Sequence, residues 1–431
     1  MRSIKQTTQV YTLLVFLFWF ANSLPLALLV LLMLQRGLSL LQISVLFGVN
    51  ALAVVLLEVP TGSLADMLGR KRVTIWAAFL MIVGFGVFLT AFTYPLLLVG
   101  SVLYGMSRAL NSGALDAWFV DTVQAIDPSI DLQPLFSKAG LATMLGLALG
   151  TLLGGIIPES FQYLPLPETA FLTKLSFPLL VSLIVQGIRI ILIQALVVEN
   201  RPMTAQSLQD AVTSLPAFIG KAVQLSRQRA LIRWILLAAF GGGFVVVSLE
   251  NFWQPHFSTL LGGTDSTTAF GIIMAGNFVL GAVGNLLSPI LSKPFHKRLG
   301  LLAGGVQVFR GMILLLLTFQ TNVYPAALFF WLIYLGMGVG DPAVGTMLHG
   351  EISSQLRSTM LSIQSMVIYI GVFAGSILLG AAAEQLSIRA AWIIGSAVLF
   401  ALLYPFLKID RLYRPITITE QEQANVPIQT H

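Results

Sequence analysis

Seven ionisable side chains lie within long apolar stretches of this chain, where a charge is costly to keep. In a lipid environment such a charge costs about 2.5–3.5 kcal/mol on insertion scales, and the groups that persist there are generally functional. A carboxylate among them can carry a proton or bind a cation, and an arginine can tune that carboxylate or bind an anion. The seven are Glu58, Arg108, Asp116, Arg189, Glu250, Arg310 and Asp341.

Glu250 has the most distinctive neighbours of the seven. It lies in GGGFVVVSLENFWQP (241–255), where Asn251, Trp253 and Gln254 supply polar and aromatic groups. We expect the triple glycine to break the helix locally and these three side chains to line a solute cavity. A carboxylate there suits a proton carrier or a cation-binding group. The alternative is a structural carboxylate paired with a neighbouring helix.

Asp116 and Asp341 are further candidates for binding a proton or a cationic solute. Asp116 follows Arg108 by eight residues in what reads as one helix, so we expect both to face one cavity without direct contact. Arg108 would then tune the proton affinity of a carboxylate. Asp341 precedes Pro342 within GMGVGDP, where packing or a hinge is the competing interpretation.

The segments that carry these residues are apolar enough to cross a membrane. Of the 431 residues, 56% are hydrophobic and 10% are charged, against about 25% charged in a soluble domain. Stretches of about twenty uncharged residues can span a hydrocarbon core about 30 Å thick. There is no cysteine, which excludes disulfides and cysteine metal sites. The composition predicts an all-α polytopic membrane protein.

Twelve transmembrane helices are predicted, in two pseudo-symmetric six-helix bundles. They cover roughly 11–34, 41–61, 73–93, 95–119, 137–157, 176–198, 231–257, 267–290, 300–320, 323–347, 359–382 and 388–408. Most of the 24 Lys and Arg residues lie on the side that holds both termini, which the positive-inside rule makes cytoplasmic. We therefore expect a multi-pass protein of a bacterial inner (plasma) membrane. The net charge of +6 reflects this topology and predicts no nucleic-acid partner.

The predicted domains follow from the two sets of six helices. They are an N-terminal bundle (1–198), a cytoplasmic linker with an amphipathic helix (199–230), a C-terminal bundle (231–409) and a cytoplasmic tail (410–431). Glycines with identical spacing indicate that the bundles are repeats. These glycines are Gly146, Gly150 and Gly155 in segment five, and Gly371, Gly375 and Gly380 in segment eleven.

A dense charge cluster, GSLADMLGRKRVT (62–74), lies between the second and third segments. Asp66 and Arg70 are four residues apart, close enough to pair on a helical turn, and Asp121 should emerge on the same face after segment four. We hypothesise a latch that holds this face closed in one conformation. The alternative is a cluster that serves only the membrane topology. The latch residues are Asp66, Arg70, Lys71, Asp121 and Glu58.

This turn resembles the signature loop of the major facilitator superfamily, Gly-x-Leu-x-x-Asp-x-x-Gly-Arg-Lys/Arg. The resemblance extends to the whole chain and implies two six-helix bundles that rock around a midplane site. Arg108, within RALNSGALDAW (108–118), also resembles the fourth-segment arginine of the drug–proton antiporters. The antiporter glycines of segment five are matched too, although Thr151 replaces their proline. We expect the following glycines to pack helices closely: Gly146, Gly150, Gly154, Gly155, Gly371 and Gly375.

Our leading interpretation is a monomeric, proton-coupled exporter of a small amphipathic, drug-like solute, working by alternating access. It would use a proton gradient and no cofactor, and its partners would be the solute and the lipid bilayer. One alternative is a carrier of an anionic metabolite, siderophore or lipid that uses Arg108, Arg189 and Arg310. Arg189 and Arg310 could equally snorkel or bind lipid headgroups. Trp19 and Asn22 are expected in the cavity.

A different class of protein, a receptor or scaffold that does not transport, would need neither the buried charges nor the latch. An enzyme is not expected, because the sequence contains no nucleophile–base pair, P-loop or metal-ligand spacing.

Overall fold

The structure is a computed structural model, and its described part is helical throughout, without strands. It describes residues 3–111, 113–160, 172–199, 220, 224, 227–295, 298–350 and 357–413, apart from the side chains of 58–63, 66 and 357–359. Within this part, eleven segments are long and apolar enough to cross a membrane. The predicted all-α polytopic architecture is confirmed. Most of the predicted linker and tail lies outside the described residues.

The helices fall into two halves. The first half contains α1 (Ile4–Ser23), α2 (Leu29–Gln35), α3 (Leu40–Leu68), α4 (Arg70–Thr90), α5 (Tyr94–Asn111), α6 (Ala114–Gln124), α7 (Gln133–Ser160) and α8 (Phe177–Leu196). The second half contains α9 (Ala230–Leu261), α10 (Thr267–Ser292), α11 (Leu299–Thr318), α12 (Val323–Gly350), α13 (Arg357–Gln385), α14 (Ile388–Ala401) and α15 (Leu403–Leu412). We call the face that holds Ile4 and Arg70 the terminal face, and the opposite face, which holds Leu40 and Ser160, the distal face.

Two predicted segments are broken. The first contains a 3-10 turn over Leu24–Ala27, because Pro25 cannot donate a backbone hydrogen bond within a continuing α-helix. The fourth ends as α5 at Asn111 and resumes as α6 after Gly113, whose φ of +88° suits only glycine. The expectation that Arg108 and Asp116 share one continuous helix is therefore wrong.

The break predicted at the triple glycine is also wrong, because α9 runs uninterrupted for 32 residues. Two of these glycines, Gly241 and Gly243, instead lie at close contacts with neighbouring helices. A Cβ atom at Gly243 would overlap the carbonyl oxygen of Ile368 on α13, which only glycine permits. At Gly242 there is open space.

The repeated glycines occupy corresponding helix contacts in the two halves. A Cβ atom at Gly146 or Gly150 of α7 would meet backbone atoms of Phe16 or Phe20 on α1 at 2.8 and 2.5 Å. On α13, a Cβ atom at Gly371 or Gly375 would in the same way overlap a backbone carbonyl oxygen of α9. Two more glycines that were expected to pack helices lie in other close contacts: Gly154 contacts the backbone of Leu24, and Gly155 contacts the backbone of α10. Close approach of backbones at small residues is the usual way membrane helices pack.

Candidate functional site

The two bundles meet most closely near the distal face. Gln254 of α9 spans the break in the first segment: its side-chain oxygen accepts from the N–H groups of Val30 and Leu31 at 3.1 and 3.2 Å. Its side-chain nitrogen donates to the carbonyl oxygen of Leu26 at 2.8 Å. Both ends of this buried amide are thus occupied by the backbone of the first bundle. Gln254 closes the distal face and does not line a solute cavity, so that prediction is wrong.

A second distal contact joins α7 to α10. Thr268 donates its backbone N–H and its hydroxyl to the carboxylate of Glu159 at 2.9 and 2.6 Å. The hydroxyl of Thr267 donates to the carbonyl oxygen of Gly155 at 2.7 Å. Glu159 could not be recognised from the sequence, because it lies at the end of a helix and resembles an ordinary surface charge.

A third distal contact joins α3 to α13, where the N–H of Leu40 donates to the carboxylate of Glu384 at 3.0 Å. The hydrogen bonds seen between described residues of the two bundles all lie in the distal half or at the centre. The structure therefore represents a state that is closed at its distal face. Opening that face requires these bonds to break.

Arg108 forms the innermost of these contacts between bundles. It donates to the hydroxyl of Tyr369 on α13 at 3.0 Å and to the side-chain oxygen of Asn50 on α3 at 3.5 Å. The guanidinium also lies over the Tyr369 ring, 5.6 Å from its centroid, which is within the limit of about 6 Å for a cation–π interaction. One arginine thus connects α5 with the opposite bundle near the middle of the molecule.

Glu250 faces the boundary between the bundles from the other side. It is exposed, although Leu249 and Asn251 beside it are buried. Its carboxylate interacts with the charge of Arg108 across this boundary. An exposed carboxylate in the interior of a 32-residue apolar helix indicates a cavity that water or solute can enter.

Other predicted cavity residues are divided between this boundary and the packed core. Asn22 is buried and accepts from the hydroxyl of Tyr104 at 2.6 Å, beside Arg108. Trp19 is half-buried and packs against Phe18 and the Gly146 site.

Trp253 and Asn251 do not line a cavity, contrary to prediction. Trp253 is buried and stacks on Phe330, with their ring centroids 5.6 Å apart. Asn251 is buried and approaches the Ser44 hydroxyl of the opposite bundle at 3.5 Å. Both side chains are packed against other residues, whereas the neighbouring Glu250 side chain is exposed.

Asp116 lies apart from Arg108, since the helix is interrupted between them. Its carboxylate accepts from the hydroxyl of Tyr11 at 2.7 Å. Tyr11 stacks on Phe119 in an apolar cluster at the terminal end of the first bundle. The structure does not bring Asp116 into the central site.

The remaining buried charges belong to the bundle interiors. Arg189 is 0% exposed, donates to the carbonyl oxygen of Leu14 and to the Asn111 side chain, and lies over the Phe18 ring. Arg310 is 4% exposed and donates to Gln307 on its own helix at 2.9 Å. Neither arginine snorkels to a membrane surface.

Asp341 is exposed on α12 and interacts with the charge of Arg310. The hydroxyl of Tyr334, also on α12, lies close enough to Glu250 and Arg310 to interact with the charges of both. It has no hydrogen-bond partner among the described residues. The neighbouring groups Glu250, Tyr334, Arg310 and Asp341 therefore extend from the central boundary into the second bundle.

At the terminal face, the structure brings two predicted latch residues together. A guanidinium nitrogen of Arg70 lies 2.5 Å from a carboxylate oxygen of Asp121. Lys71 donates to the carbonyl oxygen of Gln194 at 2.8 Å. The side chains of Glu58 and Asp66 lie outside the described residues.

Glu199 is the terminal-face residue that sequence reasoning missed. Its carboxylate accepts from the backbone N–H groups of Arg70 and Lys71 at 2.7 and 3.1 Å and so caps α4. In the second bundle Asp410 does the same for α11, accepting from the N–H of Leu301 at 3.2 Å and pairing with Arg298 at 2.8 Å. In each bundle, a carboxylate that is distant in the sequence thus caps the start of a helix at the terminal face.

Two bundles of membrane-spanning helices that meet at a central charged boundary are the architecture of a multi-pass membrane transporter. The sequence profile of the Major Facilitator Superfamily matches residues 11–347. The chain belongs to the Major Facilitator Superfamily.

Solved structures show the same fold at low sequence identity. The nucleoside transporter NupG is 13% identical, with a TM-score of 0.71 over 95% of this chain and 99% of that one. The human organic anion transporter MFSD10 (TETRAN) is 15% identical, with a TM-score of 0.64 over 94% and 100%. "D-xylose-proton symporter-like 1" of Arabidopsis thaliana is 29% identical over 123 residues, which are 28% of this chain and 22% of that relative.

Proposed function

We propose that the protein is a proton-coupled secondary transporter that exports a small amphipathic solute by alternating access. The observation that carries this proposal is Glu250, an exposed carboxylate in the interior of an apolar helix, facing Arg108 of the opposite bundle. In this pair, a titratable acid lies opposite a cation across the boundary that must open and close.

The coupling step is the protonation of the Glu250 carboxylate. The ionised carboxylate attracts Arg108, which also donates to Tyr369, so its charge helps to hold the bundles together at the centre. A proton on a carboxylate oxygen removes that attraction. A ligand shifts a conformational equilibrium only if it binds the two states differently, and the separation of Glu250 from Arg108 provides that difference.

A solute competes for the same surface. Arg108, Tyr104 and Tyr369 offer a cation, hydroxyl groups and aromatic faces in one place. A solute with an apolar body and a polar or cationic group can stack on the tyrosines and pair with Glu250. Binding of the solute would displace the proton, which gives exchange of one for the other.

A second candidate is transport of a neutral polyhydroxyl solute. The hydroxyl and amide groups of Tyr104, Asn22 and Asn50 near Arg108 favour it, as do the names of two similar proteins, a nucleoside transporter and a xylose–proton symporter-like protein. Arg189 and Arg310 support an anion carrier poorly, because both are buried within their bundles.

Proteoliposomes with a trapped pH dye and an imposed proton gradient test the proposal. Cationic, neutral and anionic solutes are added in turn, including a nucleoside and a pentose. We expect an amphipathic cation to trigger proton movement, and a response confined to the nucleoside or pentose would establish the second candidate. Solute uptake without any proton movement would contradict proton coupling.

Glu250→Gln removes the titratable oxygen and should abolish the solute-driven proton movement. Its matched control is Asp265→Asn, which changes an exposed carboxylate at the distal face that has no side-chain hydrogen bond among the described residues. The control should transport like the unmodified protein.

A further inference from the structure

A groove between α1 and α7 opens at the terminal face, apart from the boundary that carries Glu250 and Arg108. Its volume is about 880 Å³, within the range of roughly 300–1,000 Å³ of small-molecule sites. All of its lining residues belong to the first bundle. Those that decide its chemistry are Lys5, Leu13 and Phe16 of α1 and Lys138, Ala142 and Leu145 of α7.

The groove has a basic mouth and an apolar floor. Lys5 and Lys138 lie near the first turns of their helices, at the terminal face. At 1.5 Å per residue, Phe16 lies about 16 Å deeper than Lys5, and Leu145 about 10 Å deeper than Lys138. The floor is open, since Leu13 is 41% and Leu145 is 56% exposed.

The two lysines differ from other cations of the terminal face. Lys71 donates to a backbone carbonyl, Arg298 pairs with Asp410, and Lys408 lies over the ring of Tyr404. In the described part of the chain, Lys5 and Lys138 are exposed and no carboxylate pairs with either of them. Their charges are therefore available to an external anion.

We propose that this groove binds an anionic phospholipid of the adjacent leaflet. Its phosphate lies between the ammonium groups of Lys5 and Lys138, and one acyl chain follows Leu13, Phe16 and Leu145. Two cations match a headgroup with net negative charge better than a zwitterionic one. A soluble anion would satisfy the lysines but leave the apolar floor uncovered, which is why a lipid fits better.

The test measures lipid binding to the full-length protein in detergent by native mass spectrometry. The probes are phosphatidylglycerol, phosphatidylcholine and glycerol phosphate, the last representing the headgroup alone. We expect phosphatidylglycerol to bind most tightly. One basic residue near an anionic lipid contributes about 1 kcal/mol, or about fivefold, so Lys5→Gln with Lys138→Gln should weaken binding about 25-fold.

Two further variants separate this site from general attraction to a basic surface. Lys293→Gln removes an exposed cation from the same face of the second bundle and should leave binding within twofold of the unmodified protein. Ala142→Leu fills the floor while keeping both lysines, and should weaken phosphatidylglycerol but not glycerol phosphate.

Three results would overturn the proposal. These are equal binding of phosphatidylcholine, a loss in the double lysine variant no larger than in Lys293→Gln, and saturation by glycerol phosphate at the concentration that suffices for the lipid. The last would identify a site for a soluble anion.

Discussion

Removal of the Glu159 carboxylate should open the distal face. Thr268 donates two hydrogen bonds to it across the bundle boundary, at 2.9 and 2.6 Å. A hydrogen bond to a charged group contributes about 1.5–3 kcal/mol, but the carboxylate is only half-buried, so we discount the pair to about 1–2 kcal/mol in total. Glu159→Ala should then shift the ratio of distal-open to distal-closed protein about 5- to 30-fold.

The absence of cysteine from the chain allows this shift to be measured by site-directed spin labelling. Cysteines at Thr93 and Thr321 place labels on exposed positions at the distal ends of the two bundles. Double electron–electron resonance then reports the distance between the labels. In Glu159→Ala the population with the longer distance should grow by the stated factor.

Asp131→Ala is the matched control, because Asp131 accepts only from the N–H of Gln133 in its own loop, at 2.9 Å among the described contacts. Its distance distribution should equal that of the unmodified protein. An unchanged distribution in Glu159→Ala, or the same change in both variants, would refute the view that this contact holds the distal face closed.

Three further predictions concern stability, measured as the free energy of unfolding in mixed micelles. In a double-mutant cycle, the coupling free energy between Arg70 and Asp121 should be below about 1 kcal/mol, because the Asp121 side chain is 48% exposed. A larger coupling free energy would mean that the pair is more than a surface contact. Glu199→Gln should cost about 1 kcal/mol, because it removes the charge that caps α4, and no loss would argue against that cap. Gly243→Ala should lower the free energy of unfolding by about 1–3 kcal/mol, because the added methyl group overpacks the contact with α13. Gly242→Ala, at a position with open space, should be neutral or stabilising. Equal effects of the two substitutions would contradict the packing described for α9.

Local sequence patterns predicted most of the membrane helices, but not the breaks at Pro25 and Gly113. Long uncharged segments leave helices as the way to satisfy the backbone in lipid, and the equal spacing of Gly146 and Gly150 with Gly371 and Gly375 indicated corresponding contacts in two bundles. The helix break predicted at the triple glycine was wrong, because glycine permits both a helix break and a close helix contact. At Gly243 the neighbouring helix determines which of these occurs.

The site was harder to predict, because its partners are far apart in the chain. Glu250 and Arg108 could be selected as charges in apolar segments, and the structure places them on facing bundles. Gln254 was predicted to line a cavity because it is close in sequence to Glu250, although its hydrogen-bond partners lie in the first segment. Glu199 resembles a common surface charge until α4 is placed beside it.

The central claim is that Glu250 couples proton movement to solute movement. The most direct measurement compares Glu250→Gln with the unmodified protein in the same proteoliposomes, recording solute-driven proton flux and solute exchange at equal solute concentrations on both sides. Because glutamine keeps the size of the side chain but can neither carry a proton nor pair with a cationic group, we predict that proton flux disappears while solute exchange continues with a weaker apparent affinity for the solute. Proton flux that persists in Glu250→Gln would contradict the account.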